Sequence, residues 1–286
     1  MTPTISELHS WGTHELNKNN VPNPANEADK LLRYAINETR HPLTLNNTFP
    51  VSSRNIQKFK KLIKRRCQHE PYAYIAGKVT FHGHDIKVTK NVLIPRPETE
   101  ILVNLVIEHL RTSKGMNNLK IADIGTGSGA IAIALAKRLP TIRLIASDKY
   151  TKALQIAKEN IKLHKLNYRI KLIKGDLLAP FPNNSLDLIV ANLPYLSTNS
   201  INEIAKTVKD FEPSNALFSG PQGVNAILRL IKQLKKKAKP KATIFLEIEP
   251  KQYNIIENLT NNLFPNSEIK THPDITGVIR FISIRL

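Results

Sequence analysis

Two periods of hydrophobic spacing divide the chain. Up to residue 75 apolar residues recur at helical intervals. "NEADKLLRYAINE" places Ala28, Leu31, Leu32, Ala35 and Ile36 on one face, and "SSRNIQKFKKLIKRRCQHE" does the same with Ile56, Phe59, Leu62 and Ile63 behind a capping serine. A polar connection with Pro42 and Pro50 lies between them. This predicts a small helical bundle over 1–75. "YIAGKVTFHGHDIKVTKNVLI" then alternates, is rich in β-branched residues and is broken by Gly77 and Gly83, which predicts a β-hairpin linker over 76–92. From 93 to 286 strands alternate with helices. "KIADIG", "RLIASD", "RIKLIKGD", "LDLIVAN" and "ATIFLEIE" read as strands, and "SGAIAIALAKRL", "KALQIAKENIKLH" and "VNAILRLIKQLKK" as helices. Such alternation predicts an α/β fold with a doubly wound, mostly parallel sheet. The closing run "GVIRFISIRL" alternates with no helix behind it, so an added antiparallel strand is expected there.

Composition narrows the setting. At 286 residues the chain is long enough for two domains, and 41% hydrophobic residues suffice for a sizeable core. No apolar run reaches the length of a membrane span. The first twenty residues lack the basic start and apolar centre of a secretion signal, and Glu7 and Glu15 are unlike an organelle-import peptide. Cys67 is the only cysteine, so no disulfide framework can form; a cytoplasmic protein is expected, with Cys67 an inert filler on a helix. The net charge of +19 attracts polyanions or simply coats a solvated surface. Residues 1–75 hold 11 Lys and Arg against 6 Asp and Glu, a net of +5; the densest basic cluster lies elsewhere, at Lys232–Lys241. His82 and His84 raise the question of a metal, but two histidines on one strand face without a third ligand make a solvated face the better expectation, and no metal is predicted.

"DIGTGSG", Asp123 to Gly129, falls where a strand gives way to a helix. A tight turn that brings bare backbone up to a ligand needs glycine, and the helix behind it turns free N–H groups toward the same place. Asp148 ends the next strand, 25 residues after Asp123, where an acid accepts hydrogen bonds from the two hydroxyls of a ribose. Asp176 and Leu177, in "GDLLAP", fall at the same edge of the sheet, suited to an adenine amino group and its ring. The loop therefore predicts an adenosine ligand held by Gly125, Thr126, Gly127, Ser128, Gly129, Asp148, Asp176 and Leu177. A dinucleotide is the competing ligand, but D-x-G-x-G-x-G differs from G-x-G-x-x-G. It resembles the first motif of the S-adenosylmethionine-dependent methyltransferases.

"VANLPYLS" closes the fourth strand. Asn192 brings a side-chain carbonyl, Leu193 a main-chain carbonyl, Pro194 a stiff turn and Tyr195 a flat ring. Two carbonyls that each accept one N–H, beside a stacking ring, suit a planar group bearing an NH2. Methylation of such a nitrogen needs alignment and preplaced dipoles, with no metal and no covalent intermediate. Asn192, Pro194 and Tyr195 are the expected catalytic residues, with Asn192 also on the cofactor side. The tetrapeptide resembles the N-P-P-Y of amino-methylating enzymes, and its leucine also matches the form found in enzymes that dimethylate adenine N6 in ribosomal RNA. The nitrogen's owner stays open on these residues alone.

Other stretches narrow the family. "EPYAYIAGKVTFHGHDIKVTKNVLIPRPETE", above all "LIPRPETE", together with "DIGTGSGAIAIALA", "GDLLAP", "EPSNALFSGPQGV" and "LEIEPKQ", resembles the protein glutamine N5-methyltransferases that modify the Gly-Gly-Gln tripeptide of peptide-chain release factors. The resemblance implies a Rossmann-like class I methyltransferase domain behind a helical bundle that recognises a class 1 release factor. It also implies S-adenosyl-L-methionine as cofactor and S-adenosyl-L-homocysteine as product; a monomer is expected, with nucleic acid not required but compatible with the basic charge. Asn192, Leu193, Pro194 and Tyr195 would form the glutamine pocket and Arg96 would position the loop or the substrate backbone. The chain departs from the family pattern at Leu193, at Glu249 where glycine is usual, and in the loosely kept "DITGVIR". An adenine N6-methyltransferase acting on RNA or DNA is the alternative, and a basic assembly factor that binds adenosine without turnover is the non-enzymatic one.

Overall fold

A computed structural model describes residues 2–37, 49–112 and 119–286. Two compact units emerge, residues 1–77 with 205–211, and residues 78–204 with 212–286. The connection around Pro42 lies outside the described residues, whereas Pro50 pairs with Thr4 in an isolated bridge.

The first unit begins with α1 (Ile5–Lys18), which starts at a capping box: Glu7 N donates to Thr4 Oγ1 at 3.2 Å and Thr4 N donates to Glu7 Oε2 at 2.8 Å. Next come α2 (Pro24–Ile36), with proline in its first turn, and α3 (Ser53–Cys67), whose first turn is capped by Ser52. Leu8, Leu16, Leu31, Leu32, Phe59 and Ile63 form its core. Gly12 lets α1 press onto α3, since a Cβ there would stand 2.6 Å from Phe59 Cζ. Arg66 Nε reaches the Glu27 carboxylate at 2.6 Å, a buried pair joining α3 to α2. Cys67 ends α3, its Sγ 3.6 Å from Glu15 O, and burial raises its thiol pKa, in keeping with an inert filler. A short α4 (Tyr72–Ala76) follows and stops at Gly77, which has φ +75°. Ala76, the first residue of the hairpin linker expected over 76–92, is therefore the last of a helix.

The second unit opens with that hairpin, β1 (Lys78–Phe81) and β2 (His84–Lys87). His82 and Gly83 both have positive φ, the backbone that a two-residue hairpin turn demands. His82 thus sits in the turn, bonded to Asn104 at 3.0 Å, while His84 packs edge-on against His164, so the two do not share a strand face. After α5 (Thr99–Thr112) the α/β alternation runs through β3 (Ile121–Ile124), α6 (Ala130–Arg138), β4 (Leu144–Asp148), α7 (Thr151–Leu163), β5 (Ile170–Lys174) and β6 (Leu186–Ala191). The next helix, α8 (Lys206–Phe211), groups with the first unit. Then come α9 (Ser214–Leu217), α10 (Asn225–Lys237), β7 (Ala238–Glu247), α11 (Tyr253–Leu263), β8 (Glu268–Pro273) and β9 (Ile279–Arg285).

The larger sheet has the order β5-β4-β3-β6-β7-β9-β8. Its first five strands are parallel, and β9 joins antiparallel to β7, as the alternation of the closing run predicts. The β-strand β8 and helix α11 were not read from the sequence. Parallel strands are covered on both faces, which is why β3 and β6 are almost wholly apolar and buried. Helix α10 turns Ile227, Leu230, Ile231 and Leu234 onto the sheet. The chain runs outward from β3 to β4 and β5, then crosses to β6 and β7. The crevice between the carboxyl ends of β3 and β6 is the place where such sheets bind ligands.

Candidate functional site

The glycine loop leaves β3 at this crevice. Gly125, Gly127 and Gly129 all have positive φ, between 56° and 83°. A side chain at Gly125 would also place its Cβ 3.0 Å from Leu193 Cδ2, so the loop lies directly against the β6 exit. Backbone bonds lock the turn: Gly125 N and Thr126 N both donate to Ser147 O at 2.9 Å. Beneath it, Asp123 Oδ2 accepts from Thr126 Oγ1 at 2.6 Å and from Ala132 N at 3.2 Å. Burial pushes the Asp123 carboxyl up to about 7 against those two hydrogen bonds, and its Oδ1 has no hydrogen-bond partner. Asp148 ends β4 and accepts from Gly127 N and Tyr150 N, each at 2.9 Å. Burial raises its pKa as well, and the backbone donors oppose that rise.

These residues open onto a cavity of about 350 Å³. Gly125, Thr126, Gly127, Ser128, Asp148, Asp176 and Leu177 line it on the loop side, Asn192, Leu193 and Pro194 on the other. Val92, Leu93, Pro95 and Thr99 form a further wall, and Phe218 and Ser219 another. Gly129 sits just behind the lining as the residue that begins α6. The Asp176 carboxylate is already engaged by Arg229, with Lys149 at 4.0 Å. An adenosine ligand fits this donor set: bare loop backbone, a buried acid at the strand end and apolar flanks.

The β6 exit is held by groups far apart in sequence. Asn192 Nδ2 donates to Thr99 Oγ1 at 3.0 Å and to Glu247 Oε2 at 2.9 Å. Thr99 Oγ1 donates to the same Glu247 oxygen at 2.8 Å, and Tyr195 OH donates to Glu247 Oε1 at 3.1 Å. Tyr195 therefore stands behind the cavity wall, not on it. Burial, then the Glu247 charge, drives its phenol pKa well above the ordinary range, so it remains a donor. Burial likewise raises the pKa of Glu247, against the hydrogen bonds from Thr99 and Tyr195. The main chain is fixed too: Gln252 Nε2 donates to Tyr195 O at 2.8 Å, and Gly223 leaves room for that carbonyl.

Arg96 also stays off the cavity wall. Its guanidinium pairs with Glu212, which is buried and also accepts from Ile94 N at 3.1 Å. Arg96 thereby fixes the segment whose neighbours Leu93 and Pro95 face the cavity. Thr99, Glu212 and Glu247 escaped the sequence reading. The signal for Glu247 was an acid inside the apolar strand "ATIFLEIE"; Glu212 had no signal beyond its place in a longer motif.

Residues 7–77 match the family described as PrmC N-terminal domain and residues 98–211 the methyltransferase small domain. A release factor glutamine methyltransferase of Rhodopirellula baltica is 34% identical over 99% of this chain and 96% of its own length. One from Koribacter versatilis is 32% identical, covering 98% and 97% respectively. Among solved structures, the hMettl16 catalytic domain in complex with a 3′UTR hairpin aligns with a TM-score of 0.54 over 71% of this chain and 75% of that one. At 18% identity that likeness speaks to the fold alone. The chain is a class I, S-adenosylmethionine-dependent methyltransferase and belongs to the release factor glutamine methyltransferase family.

Proposed function

We propose that the chain transfers a methyl group from S-adenosyl-L-methionine to the N5 amide nitrogen of the glutamine in the Gly-Gly-Gln tripeptide of peptide-chain release factors. The observation that carries this reading is the Asn192 amide: its Nδ2 faces Thr99 Oγ1 and Glu247 Oε2, which leaves Oδ1 to accept from an incoming NH2 beside the cavity. The Leu193 main-chain carbonyl is the second acceptor. This reading asks nothing of the Leu193 side chain, whose replacement of the family's proline is compatible with it.

Bound, the cofactor supplies an electrophilic methyl on a sulfonium. Asp148 would hold the ribose, Leu177 would flank the adenine and the glycine loop would receive the remainder. An amide nitrogen is a weak nucleophile because its lone pair is delocalised. Acceptors on both N–H bonds orient the nitrogen so that this pair points at the methyl, and they stabilise the positive charge it gains. As the amide nitrogen took up that methyl, Asn192 Oδ1 and the Leu193 carbonyl would hold its two N–H groups until one proton passed to water. The helical bundle of the first unit, which matches the PrmC N-terminal domain, is the part that recognises the release factor.

Incubation with methyl-labelled cofactor and a release factor tests the proposal. Label on the Gly-Gly-Gln peptide, lost when its glutamine is replaced by alanine, is the expected result. Undiminished labelling of that alanine variant, or label only in nucleic acid, overturns it.

A further inference from the structure

The Asn192 amide has two nearly isosteric orientations, and only one works. Rotated by half a turn it would present NH2 to an incoming NH2, donor against donor. Accepting the target nitrogen therefore requires a device that chooses the orientation, and neither Pro194 nor the main chain supplies one.

The surroundings of Nδ2 supply it. Glu247 is 3% exposed and ends β7, next to β6 in the sheet. Its Oε2 lies 2.9 Å from Nδ2 and 2.8 Å from Thr99 Oγ1. Because the threonine hydroxyl spends its proton on the carboxylate, it can only accept from Asn192. Both neighbours of Nδ2 are thus acceptors, and the flipped amide would set Oδ1 against a carboxylate oxygen. The third donor, Tyr195 OH, occupies Oε1, so the donors around the carboxyl group point inward and oppose the rise that burial imposes on its pKa. An acceptor oxygen on the N–H side of an amide also polarises it, placing more electron density on Oδ1. Glu247 is not part of the cavity wall and has no direct contact to offer a substrate.

We propose that Glu247, with Thr99, is a positioning residue for methyl transfer: it locks the Asn192 amide with Oδ1 toward the acceptor nitrogen and strengthens that oxygen as an acceptor. This rests on the amide-nitrogen reading given above and adds to it the group that sets the geometry.

The test is a double-mutant cycle on the full chain with Glu247→Ala, Glu247→Gln, Asn192→Ala and the Asn192→Ala/Glu247→Ala pair. Single-turnover labelling of a release factor, cofactor binding by calorimetry and the side-chain amide NMR signals of Asn192 are read for each. Glu247→Ala is expected to slow transfer about 100-fold while the cofactor Kd stays within about threefold. In the Asn192→Ala background the same change is expected to cost less than about threefold, because the residue it acts through is gone. Glu247→Gln should recover more than a tenth of the wild-type rate, since its carbonyl can face Thr99 and Asn192 while its NH2 donates to the Tyr195 hydroxyl. The Asn192 amide signals should move in Glu247→Ala. Additive losses, a glutamine variant as impaired as the alanine one, or unmoved signals each overturn the proposal. Should Glu247→Ala fail to fold, Thr99→Val removes the other acceptor, and its loss must likewise vanish in the Asn192→Ala background. If wild type labels no release factor, the substrate reading falls; the amide signals then decide the positioning role alone.

Discussion

The two walls of the cavity are built in opposite ways. The glycine loop is local: the side-chain hydrogen bonds that shape it join residues 3, 9 and 21 apart in sequence. The amide clamp is distant: its bonds join residues 52, 55, 93 and 148 apart. The loop offers backbone, and its specificity lies in where side chains are missing. The clamp offers one side-chain oxygen, and its specificity lies in how three other side chains hold it. Even their buried acids differ. Asp123 has an oxygen with no partner, whereas both oxygens of Glu247 are occupied. On the proposed reading, a cofactor shared by many enzymes is met by a fixed local turn, while a particular nitrogen needs a geometry that only the assembled sheet provides.

The hardest way to break this contrast is at Asn192. Asn192→Ala is expected to lower kcat by about 10²–10³-fold and to leave the cofactor Kd within about threefold, measured by single-turnover labelling and calorimetry. A comparable loss of cofactor affinity would show that the walls are not separable.

The second strike is by pH on the loop side. Asp123 is ordinarily ionised above 3.8 but in the fold titrates at about 7, so the native state binds its proton more tightly than the unfolded chain. Its contribution to stability is complete below about pH 4 and is lost as pH rises through 7, by about 4 kcal/mol in all. Urea titrations between pH 5 and 8 should show the decline in wild type and a flatter profile in Asp123→Asn.

Gly125→Val sharpens the boundary itself. Positive φ for a β-branched residue and contact with Leu193 should cost about 1–3 kcal/mol and weaken cofactor binding at least about tenfold. Because Leu193 belongs to the clamp, kcat should fall as well, which Asn192→Ala does not mirror in cofactor binding. The smallest effect is expected at Glu249→Gly. This position has φ −81°, so nothing in its backbone asks for glycine; its side chain shares a capping box with Gln252 and faces a partly exposed Arg280 at 3.7 Å, and glycine in place of a cap costs only a few tenths of a kcal/mol. Stability should change by less than about 1 kcal/mol in thermal melts.

The same contrast explains what the sequence disclosed. Gly125, Gly127, Gly129 and Asp148 were legible because each serves a turn or a strand end that a short pattern encodes. The parallel sheet and its antiparallel β9 followed from spacing. Asn192 was legible as an exit from a strand, but its orientation was not. That depends on Thr99 and Glu247, which no local spacing ties to it and which meet only after β6 and β7 pair and α5 docks. Tyr195 shows the limit from the other side: a ring next to a proline suggested stacking in the pocket, yet its hydroxyl is drawn to Glu247 behind the wall. The boundary between bundle and hairpin moves by one residue, because Gly77, in the left-handed region, marks the end of a helix that includes Ala76.

The assignment of α8 to the helical bundle has a consequence for recombination. The backbone passes between units after Gly77, again before Ala205 and again after Phe211. A scission at Gly77 would therefore leave one helix of the bundle on the catalytic fragment, and a chimera that borrows a relative's first 77 residues would pair them with a foreign α8. If the bundle is the part that recognises the release factor, as proposed above, its specificity can be exchanged among relatives only as a two-segment transplant, a topological lock that ties the evolution of those helices to that of the enzyme in which they are embedded.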